Sequence, residues 1–376
     1  MIEADVGVIG AGVVGCATAL ALARRGASVA LLEAEAEPGL AASGTNSGIL
    51  HTGFDSPQGE LETELILRSG AIRDPVLDAL GVPVLRCGAL LRPRDQGQRE
   101  AVSALAENAE RNGVEARVGA DGALELPGEA VTDPVAYTLA LAAAAERHGA
   151  VLHTRFRVAG LRENGDALEL ESSDGEGVRC RVAVNCAGLF ADEVARLAGD
   201  GSFEIYPRKG EFLVFDPPPG ERLERILLPV PSKRTKGVLV FPTLDGRVAA
   251  GPTAVDQDDK RNWSVRPEAR DELMPKAVEV WPPLAGAEPI AAYAGLRTAG
   301  RGAHYLIGPA KTLPRFVNVA AIRSTGMTAS LAIAERVCGV VERLGVALGP
   351  DSPLEPGAPP KLDRPWWRRT AELRAA

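Results

Sequence analysis

Residues 6–33 read VGVIGAGVVGCATALALARRGASVALLE, and this stretch decides the fold. The apolar residues 6–9 predict a short strand, and the Ala- and Leu-rich residues 13–25 have the spacing of a helix. Gly26 is typical of a helix C-cap, and residues 28–32 predict a second strand. The stretch therefore predicts a strand, a tight turn, a helix and a strand, which together open an α/β domain.

The turn between the first strand and the helix has the pattern G-x-G-x-x-G. Gly10 permits the tight turn, Gly12 lets the backbone approach a pyrophosphate, and Gly15 allows the helix to pack closely on the strand. The first N–H groups of the helix are suited to bind phosphates. Glu33, about twenty residues on, would accept hydrogen bonds from ribose hydroxyls and disfavours a 2′-phosphate. The pattern predicts a dinucleotide site, and FAD and NAD both bind this fold.

The bulk composition limits the class of protein. The chain has 376 residues, of which 45% are hydrophobic, so it is long enough for a sizeable core and two domains are expected. The formal net charge of −8 argues against nucleic-acid binding, which needs a clustered excess of Lys and Arg. A small basic pocket for an anionic substrate remains compatible with this charge.

The cysteines argue against a metal site, and the apolar N-terminal segment argues against a membrane location. The dispersed cysteines are Cys16, Cys87, Cys180, Cys186 and Cys338. Because no pair has C-x-x-C spacing, we expect no zinc, haem or iron–sulfur site, and the odd number fits a reducing cytoplasm. Residues 6–23 have the hydropathy of a membrane span, but they carry patterned glycines and lack a basic leader. We therefore expect a cytoplasmic protein.

Hydrophobic periodicity predicts the order of the remaining elements. Helices are expected at 61–80, 96–112, 134–147, 267–280 and 327–344, and one more follows the turn 185–188 and ends near Gly199. Strands are expected at 84–92, 150–154, 156–162, 167–172, 178–185, 204–216, 237–241, 246–252, 289–296 and 316–321. The fold class is α/β (α+β), with a discontinuous Rossmann-like nucleotide domain and an inserted, mostly antiparallel sheet.

The same pattern predicts the domain division. The nucleotide domain comprises 1–80, 132–200 and 300–346, and the substrate domain comprises 81–131 and 201–299. Residues 347–376 are Pro-rich at first and then contain the string Trp366-Trp367-Arg368-Arg369. We interpret them as a mobile tail, with contact to a membrane or a partner as the alternative.

Residues 42–53, ASGTNSGILHTG, carry a family resemblance. Further segments agree with it in order: 185–188 (NCAG), 206–212 (YPRKGEF), 294–297 (AGLR) and 323–328 (RSTGMT). Together they resemble the D-amino-acid-oxidase-like superfamily of FAD-dependent oxidoreductases. The nearest branches are the anaerobic-type glycerol-3-phosphate dehydrogenases and the L-2-hydroxyglutarate oxidases. The resemblance covers residues 4–345 and implies that the dinucleotide is FAD.

The resemblance also implies cofactor contacts. The loop 43–51 would run past the ribityl chain and isoalloxazine, and the last long helix would point its positive N-terminus at the flavin. The residues implied at the cofactor, in addition to the first turn and Glu33, are Ser43, Asn46, Ser47, Gly48, Ala187, Gly188, Gly326 and Met327.

Three residues are the candidates for catalysis. In the resembling enzymes a His at the position of His51 lies near flavin and substrate, and an imidazole is suited to take a hydroxyl proton while hydride leaves carbon. Arg297 can clamp a carboxylate or phosphate with two parallel hydrogen bonds. Lys209, on a neighbouring strand, is expected to assist Arg297.

Further substrate contacts are weaker candidates. Arg301 and Arg323 could add positive charge, and Tyr293 or Tyr305 could donate a hydrogen bond, although a buried tyrosine in the core is the more usual case. The basic string 233–236 (KRTK) could attract an anion or form a solvated loop.

The leading functional hypothesis is a dehydrogenase for a small anionic alcohol, with sn-glycerol 3-phosphate first and L-2-hydroxyglutarate second. The string 251–261 (GPTAVDQDDKR) looks more like the glycerol-phosphate branch. The alternatives are an amine or amino-acid oxidase of the same superfamily, a non-catalytic flavoprotein subunit of a larger complex, and an NAD-dependent dehydrogenase. The electron acceptor could be quinone, oxygen or a partner protein.

Overall fold

A computed structural model describes residues 1–231, 237–358 and 360–375. The basic string 233–236 lies outside the described residues. The helices, numbered along the chain, are α1 (Val13–Arg24), α2 (Leu61–Ala79), α3 (Gln96–Arg111), α4 (Pro134–Arg147), α5 (Ala191–Leu197), α6 (Ala269–Val280), α7 (Gly326–Arg343) and α8 (Trp366–Ala375). Within these ranges, no helix combines the length and hydrophobicity needed to cross a bilayer.

The first large sheet contains the predicted opening unit. Its strands, also numbered along the chain, are β1 (Ile2–Ile9), β2 (Val29–Leu32), β9 (Val151–His153), β10 (Val158–Asn164), β11 (Ala167–Ser172), β12 (Gly177–Asn185), β19 (Leu306–Pro309) and β20 (Phe316–Ala320). The strands β20, β12, β1, β2 and β9 pair in parallel, and β10, β11 and β19 add antiparallel edges. Apolar residues of α1, α4 and α7 share one core cluster with β1 and β20.

The second large sheet is mostly antiparallel. Its strands are β5 (Ala89–Leu91), β6 (Arg117–Val118), β7 (Leu124–Leu126), β13 (Glu204–Phe215), β14 (Ile226–Leu228), β15 (Leu239–Pro242), β16 (Val248–Gly251), β17 (Val255–Asp256) and β18 (Ala291–Arg301). Only the β14–β5 pair in this part of the described chain is parallel. A small third sheet joins β3 (Ile49–Leu50), β4 (Val84–Leu85) and β8 (Ala130–Thr132). The predicted fold class is confirmed.

Local sequence signals explain several element ends. Gly26 follows α1 with φ of +83°, a conformation that favours glycine, so it terminates the helix as predicted. Asp133 caps α4 by accepting hydrogen bonds from the backbone N–H groups of Val135 and Ala136, and Pro134 occupies the first turn.

The chain alternates between the two large sheets. Strands of the first come from residues 2–32, 151–185 and 306–320, and those of the second from 89–126, 204–256 and 291–301. This alternation supports the proposed division into a nucleotide domain in three pieces and a substrate domain in two.

The C-terminal segment differs from the expectation. Trp366 and Trp367 are 1% and 5% exposed, and both belong to a core cluster of the second sheet. The ring of Trp366 meets that of Tyr293 edge-on at 5.2 Å, and Trp367 Nε1 donates to Asp245. The expectation of a mobile end is therefore wrong for these tryptophans, and neither indole is exposed for contact with a membrane. Their apolar surface is stabilised by burial instead.

Candidate active site

The turn after β1 has the shape that a dinucleotide requires. Gly10 has φ of +99°, and a Cβ there would lie 2.6 Å from the carbonyl oxygen of Cys186. A Cβ on Gly15 would lie 1.9 Å from the carbonyl oxygen of Gly10. Both positions therefore exclude any side chain. Glu33 directly follows β2 and its Oε2 accepts a hydrogen bond from Ala11 N at 2.7 Å, which fixes the carboxylate beside this turn.

The start of α1 is joined to the Gly-rich loop by Ser43. Gly12 occupies the N-cap position of α1, and Val13 N donates to Ser43 Oγ at 2.9 Å. A Cβ on Gly12 would lie 3.1 Å from the same oxygen. The first N–H groups of α1, the small residues of the turn and the Ser43 hydroxyl thus lie close together. Such groups can donate hydrogen bonds to a pyrophosphate and leave space for it. The residues fit the dinucleotide half of FAD.

The second predicted cofactor turn lies against the first. Cys186 N donates to Ile9 O at 2.8 Å, and Gly188 has φ of +55°. Asn185 orders this turn because its Oδ1 accepts from Ala187 N and its Nδ2 donates to Asn318 and Ala191. Ala187 and Gly188 are therefore adjacent to Gly10, as the resemblance implies. Their contact with FAD stays a prediction.

The loop 42–53 reaches the first turn of α7. Asn46 Nδ2 donates to Ser324 O at 3.2 Å, and its Oδ1 accepts from Gly48 N at 2.9 Å. A Cβ on Gly48 would lie 2.1 Å from Thr132 O, so this position also excludes a side chain. Ser47 Oγ accepts from Ile49 N at 3.5 Å.

The N-terminus of α7 begins at Gly326. Met327 is buried in the core of the nucleotide domain. The N-cap residue Thr325 directs its hydroxyl to Glu62 at 2.6 Å rather than to the helix. The positive end of the helix macrodipole therefore lies beside the loop that carries Asn46. The flavin contacts of Gly326, Met327, Asn46 and Ser47 remain predictions.

His51 is paired with a carboxylate that sequence reasoning missed. Its Nδ1 lies 3.1 Å from Oε2 of Glu129, which has no exposed surface. Glu129 Oε1 also accepts from Thr52 N at 2.7 Å and from Thr52 Oγ1 at 2.9 Å. The backbone N–H of His51 donates to Thr328 Oγ1 in the first turn of α7. The imidazole is thus fixed between the turn before β8 and the start of α7.

Arg297 lies on β18, the edge strand that pairs with β13. Its Nη2 donates to Thr253 O at 3.0 Å and its Nη1 to Arg208 O at 3.4 Å. Among the described residues, no carboxylate oxygen lies within 4.0 Å of the guanidinium nitrogens of Arg297. Burial, and then the charge of Arg208, lower the pKa of Arg297 to about 10. This guanidinium is well placed to bind an anion.

The face of β18 that carries Arg297 is turned to the loop containing His51. Alternate residues of a strand share a face. A Cβ on Gly295, two residues earlier, would lie 2.7 Å from Thr45 O, and Tyr293 shares a core cluster with Ile49. The second sheet therefore contacts the loop 42–53 along this face.

Lys209 is on the opposite face of the sheet. It pairs with Leu296, whereas Arg208 pairs with Arg297, so its side chain points away from the guanidinium. Lys209 Nζ donates to Ser264 O at 2.8 Å and to Asn262 Oδ1 at 3.1 Å, and burial lowers its pKa. The expected assistance to Arg297 is wrong. Lys209 holds the 257–264 segment to the sheet instead.

The weaker cationic candidates have carboxylate partners. Arg301 forms an ion pair with Glu204 at 2.8 Å and stacks on Tyr206, at the exposed end of β18. Arg323 forms an ion pair with Glu62 at 3.0 Å. Arg301 lies four residues beyond Arg297 on β18, roughly 13 Å along the strand, so the two cations do not share one anion. The ion pair of Arg323 with Glu62 leaves room for a ligand, so contact of Arg323 with substrate stays a prediction.

The tyrosine candidates are core residues. Tyr293 is 2% exposed and stacks on Phe212 with ring centroids 4.9 Å apart. Its hydroxyl is buried and has no hydrogen-bond partner among the described residues. Tyr305 is likewise buried and its hydroxyl contacts Thr325 Oγ1 at 2.6 Å. The expected substrate contact of Tyr293 is therefore wrong, because no surface of the hydroxyl is open to a ligand.

Comparison with known proteins gives related flavoenzymes. The chain is 29% identical over 356 residues to glycerol 3-phosphate dehydrogenase of Caloramator mitchellensis, covering 90% of this chain and 74% of that protein. It is 29% identical over 277 residues to mitochondrial L-2-hydroxyglutarate dehydrogenase of Mus musculus, covering 66% of this chain and 60% of that protein.

A solved structure has the same fold. The L-alpha-glycerophosphate oxidase of Mycoplasma pneumoniae, dithionite-reduced and with FAD bound, superposes with a TM-score of 0.88 at 24% identity, over 96% of this chain and all of that one. The sequence profile of the DAO family, described as FAD dependent oxidoreductase, matches residues 5–339. The predicted cofactor and enzyme class are confirmed, and the chain belongs to the DAO family of FAD-dependent oxidoreductases.

Proposed function

We propose that this flavoenzyme oxidises a small anionic alcohol, with sn-glycerol 3-phosphate as the best candidate and dihydroxyacetone phosphate as its product. The partly buried guanidinium of Arg297 carries the proposal. Its neighbours Thr253 and Arg208 offer carbonyl oxygens, which only partly compensate a charge that is partly removed from water. A phosphate or carboxylate would complete that compensation with two parallel hydrogen bonds.

His51 supplies the base in this proposal. An imidazole ordinarily titrates near neutral pH and is suited to accept the hydroxyl proton of the alcohol. Its pairing with Glu129 and its backbone contact with Thr328 hold the ring in one place. When bound, FAD supplies the acceptor for the hydride that leaves the carbinol carbon.

Phosphate is favoured over carboxylate as the anionic group. The glycerol 3-phosphate dehydrogenase relative matches 90% of the chain, whereas the L-2-hydroxyglutarate dehydrogenase relative matches 66%. The string 251–261, which resembles the glycerol-phosphate branch, includes Thr253, whose carbonyl oxygen accepts from Arg297. L-2-hydroxyglutarate is the second candidate because its dehydrogenase is related at the same 29% identity.

The test is the reductive half-reaction of the Arg297→Met variant. The holoenzyme is mixed without oxygen with sn-glycerol 3-phosphate, L-2-hydroxyglutarate or uncharged glycerol, and the flavin absorbance is followed. Loss of a charge-assisted pair should raise the dissociation constant of the favoured anion by about 10- to 100-fold, with FAD content unchanged. Glycerol should react poorly with both proteins.

Arg301→Met is the matched control, because Arg301 pairs with Glu204 at the exposed end of the same strand. It should bind the anion like the wild type. An equal loss of anion affinity in both variants, or no loss of affinity in Arg297→Met, would contradict the assignment of Arg297 as the anion-binding residue. If L-2-hydroxyglutarate reduces the flavin faster than sn-glycerol 3-phosphate does, Arg297 stays assigned as the anion site, but the anion that it binds is a carboxylate and not a phosphate.

A further inference from the structure

Glu129 is a fully buried carboxylate that contacts the candidate base, and the sequence did not predict its role. Its Oε1 accepts from the N–H and the hydroxyl of Thr52, and its Oε2 faces His51 Nδ1 at 3.1 Å. We propose that Glu129 is a positioning residue that fixes the tautomer and the orientation of His51. This inference rests on the proposed function, in which His51 accepts the substrate proton.

The hydrogen bonds of Glu129 set the tautomer of His51 when the carboxylate is ionised. The backbone N–H of Thr52 can only donate, so Oε1 of Glu129 must accept. An ionised carboxylate accepts at both oxygens, so the proton between Oε2 and the imidazole belongs to Nδ1 of His51. The lone pair is then on Nε2. Nε2 is therefore the atom that can take a proton from a substrate hydroxyl.

The same carboxylate stabilises the product of proton transfer. The substrate O–H bond breaks and an N–H bond forms at Nε2 of His51, while the C–H electron pair leaves as hydride for the cofactor. The substrate is oxidised by two electrons and the ring becomes a cation. Glu129, with no exposed surface, places a negative charge 3.1 Å from that ring. Because Glu129 is buried, this interaction is stronger than one between two exposed side chains.

His51 is anchored from a second side, so Glu129 acts on a ring whose backbone is already fixed. The N–H of His51 donates to Thr328 Oγ1 at 3.1 Å, and Thr328 is buried in the first turn of α7. Removing the carboxylate should therefore change the protonation and rotation of the ring more than the position of the loop.

Glu129→Gln is the decisive substitution, because Thr52 dictates how the amide must lie. The amide oxygen must face the Thr52 N–H, which turns the NH₂ group to His51 Nδ1 as a donor. Nδ1 must then accept, and the proton moves to Nε2, where it blocks the base. Anaerobic stopped-flow reduction should slow by about 10²-fold or more, with the substrate dissociation constant and FAD content unchanged.

A double-mutant cycle with His51→Asn tests the coupling. If Glu129 acts through His51, Glu129→Gln should have little further effect once the imidazole is absent. Glu129→Asp retains a carboxylate and should recover part of the lost rate. Glu125→Gln, at an exposed residue of β7 paired with Arg225, is the control and should react like wild type.

A measurement on the wild-type holoenzyme covers the case in which Glu129→Gln does not fold. Nitrogen-15 NMR, with the His51 signals assigned by their absence from His51→Asn, should show a proton on Nδ1 and none on Nε2. A proton on Nε2 overturns the proposal, as does an equal effect of Glu129→Gln with and without His51. If His51→Asn itself reduces FAD at the wild-type rate, the base assignment in the proposed function fails, while the tautomer result still tests the role of Glu129.

Discussion

At the scale of single residues, Gly210 makes room for the guanidinium of Arg297. A Cβ at position 210 would lie 2.3 Å from Arg297 Nη2 and 2.9 Å from a carbon of Pro252. The guanidinium is the flexible end of a long side chain and can move aside, whereas Pro252 must shift slightly, so Gly210→Ala should fold with some loss of stability and a displaced guanidinium. We expect the dissociation constant for sn-glycerol 3-phosphate, measured by anaerobic flavin titration, to rise by about tenfold or more.

Gly308→Ala is the control for this substitution. Gly308 also lies in a strand, β19, and a Cβ there would meet nothing within 4 Å. Its substrate affinity should equal that of wild type. Wild-type affinity in Gly210→Ala would show that the position of the Arg297 guanidinium does not set anion binding.

Asp133, the cap of α4, predicts a dependence of stability on pH. Burial raises the pKa of Asp133 from 3.8 to about 6 in the folded protein, and the nearby charge of Asp245 contributes in the same direction. The unfolded chain therefore loses this proton at lower pH than the folded chain does. Its contribution to stability is complete below pH 4 and is lost as pH rises through 6.

Asp133→Asn removes this titration and keeps a capping oxygen. Relative to wild type, the variant should gain about 2–3 kcal/mol of unfolding free energy between pH 4 and pH 7, because each pKa unit corresponds to about 1.4 kcal/mol. Urea unfolding curves at several pH values measure the difference. A constant difference across that window would contradict the raised pKa.

Sequence reasoning found the site residues whose role is set by neighbours along the chain. Gly10, Gly15 and Glu33 belong to one turn and its two strands. Their spacing in the sequence is therefore enough to predict that they lie together. Glu129 was missed because it is 78 residues from His51, and only the folding of β8 against β3 brings the two together. No periodicity or local motif marks such a pair.

At the scale of elements, α8 should contribute to stability. Trp366 is 1% exposed, and its ring meets that of Tyr293 edge-on. Trp366→Ala should lower the unfolding free energy by about 3–5 kcal/mol, as expected for the loss of a buried aromatic side chain. Trp366→Phe keeps an aromatic ring and should cost less, in part because Trp366 Nε1 is buried without a partner among the described residues.

Chemical denaturation of both variants, followed by circular dichroism, gives these free energies. An unchanged midpoint in Trp366→Ala would mean that the C-terminal helix does not add to the stability of the core.

Periodicity predicted most helices within a few residues, because capping and breaking residues mark their ends. It predicted α4 from Asp133 and Pro134, and α1 from Gly26. It did not predict α8, since a short helix after a Pro-rich stretch is defined by the sheet on which it packs. The role of Lys209 was wrong for a related reason: the register of β13 on β18 determines its face, and that register is a tertiary property.

At the scale of the whole molecule, the two sheets carry different parts of the proposed site. The first sheet and its helices present the dinucleotide turn, and the loop that follows carries His51 and contacts α7. The second sheet presents Arg297 on the face turned toward that loop. Helix α8 packs on the second sheet and also pairs Arg369 with Glu37 beside the nucleotide turn. In the proposed function, substrate binding and proton removal would therefore come from opposite sides of the interface between the sheets.

The most direct test is anaerobic mixing of the purified holoenzyme with sn-glycerol 3-phosphate, with flavin absorbance as the readout. The account predicts rapid bleaching by this compound, much slower bleaching by uncharged glycerol, and no bleaching by glycine or sarcosine. Such a result needs no knowledge of the electron acceptor. Rapid bleaching by an amino acid, with none by either anionic alcohol, would contradict the account and indicate an amine oxidase of the same family.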